Sequence, residues 1–333
     1  MSNDNIRSYK FGDQAIPFVF ENEAGDIRLV EWLQTREGYI DEMLEQHGAL
    51  LFRGFNVAEL EFSEAVKALC KEPVEYVYRS TPRTQVAANV YTATEYPAHH
   101  SIPLHNEEAY QLDWPMRLLF FCALPAEQGG ETPIADSIKV TQRIAPRIVE
   151  QFKKKKVMYV RNYGSGVDLS WQNVFQTDSK DGVEEFCRAN QIEFEWKADG
   201  RLRTSQVCQA VAEHPISGQE IWFNQAHLFH ISSLDERTRR AMLSIYKESE
   251  LPRNAYYGDG SPLDPEFLEQ IRNAYKAETV SFPWKLHDVM LLDNMFVCHA
   301  RNPYKGKRRT LAGMGLPYSA VQSRTELAGL AHA

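Results

Sequence analysis

The strongest constraint on the fold of this chain is a set of three potential metal ligands that lie in two distant segments. His105 and Glu107 flank Asn106 in one segment, and His299 lies near the C-terminus. Side chains two residues apart on a strand point to the same face, so His105 and Glu107 can reach one ion. With His299 they would form a two-histidine, one-carboxylate set that leaves positions open for a cosubstrate and O2 on Fe(II). The fold must therefore bring the middle and the end of the chain together.

The motif alone is weak, because ten histidines and 45 acidic residues in 333 positions give roughly one His-x-Asp/Glu match by chance. Two core histidines near an acid would then be the favoured interpretation. The surroundings strengthen the metal interpretation. The run Gly129-Gly130-Glu131-Thr132 follows the first segment, Asp293-Asn294 precedes His299, and Arg308-Arg309 follows it.

Composition excludes several classes of protein. The formal net charge of −8 argues against a general nucleic-acid-binding protein, which would carry a basic face. The sequence has no apolar run long enough to cross a bilayer and no secretory signal, so we expect no membrane association. The five cysteines are odd in number and widely spread, which favours reduced thiols in a cytoplasmic protein. Cys298 is expected to point into the core, opposite to His299.

Periodicity and turn residues predict many short strands with inserted helices. The predicted helices cover 26–47 (ending at Gly48), 60–71, 137–152, 234–247 and 264–277. The predicted strands cover 49–55, 86–94, 118–124, 157–160, 288–292 and 309–314, with a hairpin 193–197/202–207 around Asp199-Gly200. This pattern indicates an α+β fold with a mainly β core. A barrel or jelly roll would leave a cavity mouth for a ligand.

These motifs together resemble the TauD/TfdA family of Fe(II)/2-oxoglutarate-dependent dioxygenases. The finer resemblance is to its SyrP-like branch and rests on the stretches 79–84, 91–97, 222–230, 252–260 and 288–294. The likeness runs from about residue 48 to 316. It implies a double-stranded β-helix (jelly roll) with helical insertions. We expect a single catalytic domain over 1–333, with an N-terminal lead-in of about 1–85, a core of about 86–318 and an insertion of about 137–285.

The resemblance also implies roles for individual residues. His105, Glu107 and His299 would bind Fe(II), with 2-oxoglutarate and O2 as cosubstrates. Thr132 matches the family threonine that touches 2-oxoglutarate, and Arg309 matches the arginine that pairs with its distal carboxylate. Arg308 is adjacent, and since neighbours on a strand point oppositely, only one of the two arginines can serve.

The branch implies hydroxylation of an unactivated C–H bond in natural-product biosynthesis. The substrate would be an amino acid or an aminoacyl group, possibly held by a peptidyl carrier protein. Arg83, Asn106 and Arg301 are candidates to bind its carboxylate or amine; a structural ion-pair role is the alternative for the two arginines. Gly313 stands where TauD has a sulfonate-binding arginine, so taurine is not expected. Halogenation is disfavoured because Glu107 fills the place of a halide.

Other chemistries use the same residues. Desaturation or ring closure needs the same iron ligands and differs only in how the substrate is placed. A zinc hydrolase could combine the three ligands with a water, and a non-catalytic metal-binding jelly roll could act as an interaction module. Thr132 and Arg309 favour a diacid cosubstrate over the hydrolase, and the intact set of three ligands argues against the module. His227 and His230 could also bind zinc from one helix face, but no third ligand lies at a familiar spacing, and a structural role is favoured. The sequence leaves the oligomeric state open.

Overall fold

The computed structural model describes residues 6–12, 16–75, 78, 81, 83–94 and 96–320. These residues form nineteen strands and ten α-helices. Residues 79, 80, 82 and 95 of the family-like stretches lie outside the described residues. The strands are β1 Ile6–Lys10, β2 Phe18–Asn22, β3 Ala49–Arg53, β4 Gln85–Ala87, β5 Val90–Thr92, β6 Ile102–His105, β7 Asp113–Leu124, β8 Gln128–Gly129, β9 Ile134–Asp136, β10 Val157–Tyr163, β11 Glu193–Trp196, β12 Leu202–Cys208, β13 Val211–Glu213, β14 Glu220–Trp222, β15 Arg253–Tyr257, β16 Val289–Asp293, β17 Val297–Arg301, β18 Tyr304–Lys305 and β19 Arg309–Ser319. The helices are α1 Leu29–Gln34, α2 Glu37–His47, α3 Phe62–Cys70, α4 Ser137–Arg143, α5 Pro146–Lys155, α6 Trp171–Phe175, α7 Lys180–Ala189, α8 Ala226–Phe229, α9 Glu236–Ile245 and α10 Pro265–Ala277.

A large sheet and a small sheet form the centre of the molecule. The large sheet has eight strands in the order β1-β2-β3-β16-β7-β19-β5-β4, and the small sheet has the order β6-β17-β9. The two sheets pack together through one apolar cluster, which includes Phe120 and Met290 from the large sheet and Ile134 and Val297 from the small one. Strands β3 and β16 are buried along their whole length, as expected for apolar runs covered on both faces.

Other elements cover the outer faces of the two sheets. Helices α1 to α3 pack on the large sheet through a second apolar cluster that includes Trp32, Leu69, Phe52 and Leu291. Residues 1–85 also supply strands β1, β2 and β3, so this segment is part of the large sheet and not only a lead-in to it. A four-stranded sheet, β11-β12-β10-β15, lies between α4 and β16 in the chain. Its apolar cluster also contains Cys298, which is buried as expected from its strand position.

Local signals account for most of the element boundaries. Gly48 ends α2 in the left-handed conformation (φ 68°), where its N–H donates to Leu44 O. The predicted helix 137–152 is two helices, because Pro146 begins α5 and cannot extend the helix before it. The predicted helix 26–47 is also divided, at residues 35–36, and the predicted strand 86–94 is the hairpin β4–β5. The hairpin around Asp199-Gly200 joins β11 and β12 as predicted. Among the residues described, no helix is long and apolar enough to cross a membrane.

Candidate metal centre and cosubstrate pocket

The structure brings the three predicted metal ligands together. One ligand atom each from His105, Glu107 and His299 lies within 4.8 Å of the other two. His105 and His299 face each other as register partners on β6 and β17 of the small sheet. Phe120 of the large sheet packs on the His299 ring, with ring centroids 5.0 Å apart. The site therefore lies between the two sheets, where the mid-chain and C-terminal strands meet.

Glu107 reaches the site from a turn and not from an extended strand. Strand β6 ends at His105, and the backbone turns at Glu108, whose φ is +57°. The side chain of Asn294 explains the turn. Its Oδ1 accepts from the Glu107 N–H at 2.8 Å, and its Nδ2 donates to Glu107 O at 2.9 Å and to Pro115 O at 2.8 Å. The carboxylate is thus positioned by a buried amide from the turn between β16 and β17.

Asn106 belongs to the same buried network. Its Nδ2 donates to Asn294 O at 2.6 Å and to Ser137 Oγ at 3.1 Å, and its carbonyl accepts from Gln225 Nε2 at 2.8 Å. The residue is fully buried and does not line the pocket described below. The expectation that Asn106 binds substrate is therefore corrected: its amide ties the Glu107 turn to the turn that precedes His299.

The protonation states at the site suit a divalent cation. His105 Nδ1 lies 2.8 Å from Pro103 O, which leaves Nε2 as the lone-pair nitrogen. Burial, assisted by the nearby His299, lowers the pKa of His105 to about 3, so its ring is neutral at pH 7. Burial alone would raise the pKa of Glu107, but the Arg83 cation and the His299 ring together hold it below its usual range. Two imidazoles and one carboxylate are ligands that Fe(II) accepts.

Arg83 contacts the carboxylate of Glu107 directly. Its Nη2 donates to Glu107 Oε2 at 2.7 Å, and both side chains are buried. The same carboxylate oxygen lies 3.6 Å from His299 Nε2. Arg83, which the sequence suggested as a substrate-binding residue, is thus an ion-pair partner of a candidate metal ligand, as the structural alternative proposed.

A pocket opens beside these ligands. Its walls carry three arginines and two histidines, and no acidic side chain is among the lining residues: Arg83, Ala93, Thr94, Ile102, His105, Phe120, Thr132, His299, Ala300, Arg301, Arg308 and Thr310. Such a lining favours an anionic ligand.

Arg308 is the arginine that faces this pocket next to Thr132. Its Nε donates to Gly130 O at 2.8 Å, and its Nη2 lies 3.5 Å from Thr132 Oγ1. No ion pair joins it to a carboxylate within the described ranges. Burial, with repulsion from Arg301, lowers the pKa of Arg308 to about 10, which still leaves it charged at pH 7.

Arg309, which the family spacing assigned to the cosubstrate, does not face this pocket. Arg309 is exposed, lies outside the pocket, and pairs with Glu59 on the far side of β19. Arg308 and Thr310 share the pocket side, as residues two apart on a strand do. The register of β19 against β7 also shifts between Arg309 and Thr310. The sequence restricted the cosubstrate arginine to Arg308 or Arg309; the family spacing favoured Arg309, whereas the pocket geometry favours Arg308.

Arg301 lines the pocket, and its two terminal nitrogens form hydrogen bonds outside it. Nη1 donates to Tyr96 O at 2.8 Å, and Nη2 donates to Pro97 O at 2.8 Å and His100 O at 2.7 Å. We call residues 96–100 the rim loop, because they lie between Thr94 and Ile102, which both line the pocket. Arg301 thus fastens the rim loop to strand β17, and a substrate contact through its Nε, which has no hydrogen-bond partner in the described part of the chain, stays a prediction.

The other histidines have structural partners. His227 Nε2 lies 3.0 Å from Leu104 O, and its ring stacks on Tyr275 at 4.5 Å. His230 Nδ1 lies 2.8 Å from Ser232 Oγ. Among the described residues, neither belongs to a group of ligands that could hold a metal. These contacts are consistent with the structural role predicted for the pair.

Comparison with known proteins gives a consistent result. Residues 12–314 match the family described as "Taurine catabolism dioxygenase TauD, TfdA family". The chain is 46% identical over 270 residues to the dapdiamide synthesis protein DdaC of Enterobacter agglomerans, covering 81% of this chain and 82% of DdaC. It is 32% identical over 294 residues to a clavaminate synthase-like protein of Arabidopsis thaliana, covering 85% and 86% of the two chains.

The fold also resembles solved structures. PvcB from Pseudomonas aeruginosa aligns over 96% of both chains with a TM-score of 0.55 and 14% identity. Another PvcB structure, described as an Fe, alpha-ketoglutarate dependent oxygenase from an isonitrile synthetic pathway, aligns with a TM-score of 0.53, 14% identity and the same coverage. At this identity the likeness concerns the fold, and it confirms the predicted jelly-roll class with helical insertions.

Proposed function

The chain belongs to the TauD/TfdA family and is an Fe(II)/2-oxoglutarate-dependent oxygenase; we propose that it hydroxylates an unactivated C–H bond of an amino acid or aminoacyl group. The observation that carries this proposal is the convergence of His105, Glu107 and His299 within 4.8 Å beside Arg308, which has no acidic partner among the described residues. A metal site next to an uncompensated guanidinium suits a chelating diacid.

In this proposal the three converging side chains hold Fe(II) on one face. Bound there with 2-oxoglutarate and O2, the iron supplies the oxidative decarboxylation of the cosubstrate to succinate and CO2 and the oxidation of the C–H bond. His105 presents Nε2, because its Nδ1 is engaged with Pro103 O. Arg83 and Asn294 hold Glu107 in place from its carboxylate and its backbone.

Arg308 and Thr132 would bind the distal carboxylate of 2-oxoglutarate. The guanidinium offers a planar fork of donors, and the Thr132 hydroxyl adds a third donor 3.5 Å away. A zinc hydrolase with the same three ligands would have no need for a half-buried arginine that has no acidic partner among the described residues in this position. The contact of Arg308 with Thr132 therefore favours the oxygenase.

The substrate class is supported by the relatives and by Glu107. DdaC is named for the synthesis of dapdiamide, and this suggests a role in natural-product biosynthesis for the present chain. A carboxylate ligand at Glu107 leaves no halide position and favours hydroxylation, with desaturation and cyclisation as alternatives at the same iron. A peptidyl carrier protein is the proposed partner if the substrate is tethered. Five buried free cysteines suit the cytoplasm.

Two measurements test the proposal. Anaerobic addition of Fe(II) and 2-oxoglutarate should produce the visible metal-to-ligand charge-transfer band; a protein that binds only zinc, or no metal, would give none. Mass spectrometry of candidate amino acids, free and thioester-linked, should then show a gain of one oxygen. A loss of two hydrogens in place of that gain would select the desaturase or cyclase.

A further inference from the structure

We propose that Trp284 is a positioning residue for 2-oxoglutarate. Its indole Nε1 donates a 3.0 Å hydrogen bond to Thr132 Oγ1, and both side chains are buried. In our inference this bond turns the Thr132 hydroxyl so that its proton faces the distal carboxylate of the cosubstrate. The inference rests on the proposed function and adds a residue that touches neither the metal nor the cosubstrate.

The hydrogen-bond partners of Thr132 Oγ1 determine where its proton can point. A threonine hydroxyl has one proton to donate and two lone pairs to accept with. Trp284 Nε1 and Arg308 Nη2, at 3.0 and 3.5 Å, are both groups that can only donate. Within the described ranges these are the hydrogen-bond contacts of Thr132 Oγ1. Because both contacts use lone pairs, the hydroxyl proton is left for an acceptor, and the anion paired with Arg308 provides one.

The backbone around Trp284 is fixed from both sides. Val280 and Ile134 exchange two backbone hydrogen bonds of 2.8 and 2.9 Å, which joins this segment to the residues just after Thr132. Arg53 Nη2 spans Trp284, because it donates to Pro283 O just before it at 3.3 Å and to Asp288 Oδ2 after it at 2.7 Å. An indole held this firmly can set the direction of a hydroxyl at little entropic cost.

A second tryptophan shows that packing alone does not explain the contact. Trp114 is buried in the same apolar cluster as Trp284, yet its Nε1 has no hydrogen-bond partner in the part of the chain described. The cluster therefore accepts an indole without a bonded N–H. Trp114→Phe removes the same group from the same core and is a matched control for Trp284→Phe.

The test is an anaerobic titration of the Fe(II)-loaded full chain, followed by the charge-transfer band. The two probes are 2-oxoglutarate and 2-oxopentanoate, which share the chelating end but differ in the distal carboxylate. Trp284→Phe should raise the Kd for 2-oxoglutarate roughly fivefold, the effect of one hydrogen bond, and leave 2-oxopentanoate unchanged. Trp114→Phe should change neither. In a Thr132→Val background, Trp284→Phe should have no further effect, because the two residues act through one bond.

An unchanged Kd for 2-oxoglutarate in Trp284→Phe would overturn the inference. The inference would also be overturned if Trp284→Phe weakened the binding of both keto acids equally, or if its effect on the Kd added to that of Thr132→Val. Either result would mean that Trp284 acts through packing. If Trp284→Phe does not fold, the contact is tested instead by the NMR ¹H–¹⁵N signal of the Trp284 indole in a protein that keeps this tryptophan. Thr132→Val must move the signal of Trp284 and not that of Trp114, and a Trp284 signal that stays in place refutes the contact. Absence of the charge-transfer band in the wild-type protein would instead contradict the proposed function itself.

Discussion

Arg83 and Glu107 form a buried ion pair at the edge of the candidate metal site, with Nη2 of the arginine 2.7 Å from Oε2 of the carboxylate. The arginine balances the charge of the carboxylate in the absence of a metal ion, and a divalent cation would take over part of that task. Arg83 therefore links the stability of the protein to its metal content.

Arg83→Met should lower the free energy of unfolding of the metal-free protein by about 3 kcal/mol, because it leaves a buried carboxylate without its partner. Saturating Mn(II) should restore much of this loss, so the metal-induced rise in Tm should be larger in the variant than in the wild type. Chemical denaturation with and without Mn(II) measures both. Arg309→Met, which breaks an exposed pair with Glu59, should cost less than about 1 kcal/mol. A metal-induced stabilisation equal to that of the wild type would contradict the charge-balancing role.

Arg308→Met should weaken 2-oxoglutarate binding by about 10- to 100-fold, because a charged hydrogen bond to the distal carboxylate is lost. Arg309→Met should leave the Kd unchanged, since its side chain lies outside the pocket. The charge-transfer titration compares the two directly. A larger effect at Arg309 would reverse the assignment made from the structure.

His105→Ala should abolish the charge-transfer band and succinate formation while the far-UV circular dichroism spectrum stays unchanged. The imidazole supplies one of the three ligand atoms, and alanine supplies none. His47→Ala, at the C-terminal end of α2, is the control and should behave as the wild type. Turnover that persists in His105→Ala would remove this residue from the ligand set.

Arg301→Met should free the rim loop without removing a metal or cosubstrate ligand. Three hydrogen bonds to the carbonyls of Tyr96, Pro97 and His100 are lost, so amide hydrogen exchange at residues 96–100 should accelerate. The band with 2-oxoglutarate should remain, whereas succinate should form in excess over hydroxylated product. Arg301→Lys should recover part of the protection, because an ammonium can also donate to carbonyls. Protection equal to that of the wild type in Arg301→Met would show that the loop does not depend on this side chain.

Acid should destabilise the protein through His227. Burial lowers the pKa of this ring to about 4 in the folded state, against about 6.5 when unfolded. The unfolded chain therefore binds more protons between these pH values, and stability is complete above pH 6.5 and falls as the pH drops towards 4. The full shift corresponds to about 3 kcal/mol. Urea denaturation of His227→Gln from pH 7 to 4 should show a shallower loss, and a slope equal to that of the wild type would exclude His227.

Local sequence patterns account for much of the fold. The apolar runs of β3, β7 and β16 and the Asp199-Gly200 hairpin lie where periodicity and turn chemistry place them. The boundary between two helices before Pro146 was not predicted, because the apolar residues continue with helical spacing across it. The pairing of β6 with β17 follows from no local signal. Only the convergence of the two remote segments was predicted, because both had to supply ligands to one ion.

The predictions for the site that differ from the structure concern residues whose roles depend on tertiary contacts. Alternation on a strand predicts that Arg308 and Arg309 diverge, but not which of them faces inwards, since that depends on the register with β7 and its shift after Arg309. Asn106 and Arg301 are polar residues close to the ligands, yet backbone carbonyls from distant segments bind the Asn106 amide nitrogen and the two terminal nitrogens of Arg301. The role of Trp284 depends on a contact with Thr132, 152 residues away in the chain.

Arg301 holds the rim loop through three main-chain oxygens and through a cation–π contact with the Tyr96 ring, 5.9 Å away. The side chains of His99 and His100 are exposed and are not among these contacts. Substitution of His99 and His100 therefore leaves the hydrogen bonds between Arg301 and the loop intact. The substrate selectivity of the enzyme can thus be changed at this loop without altering the metal ligands.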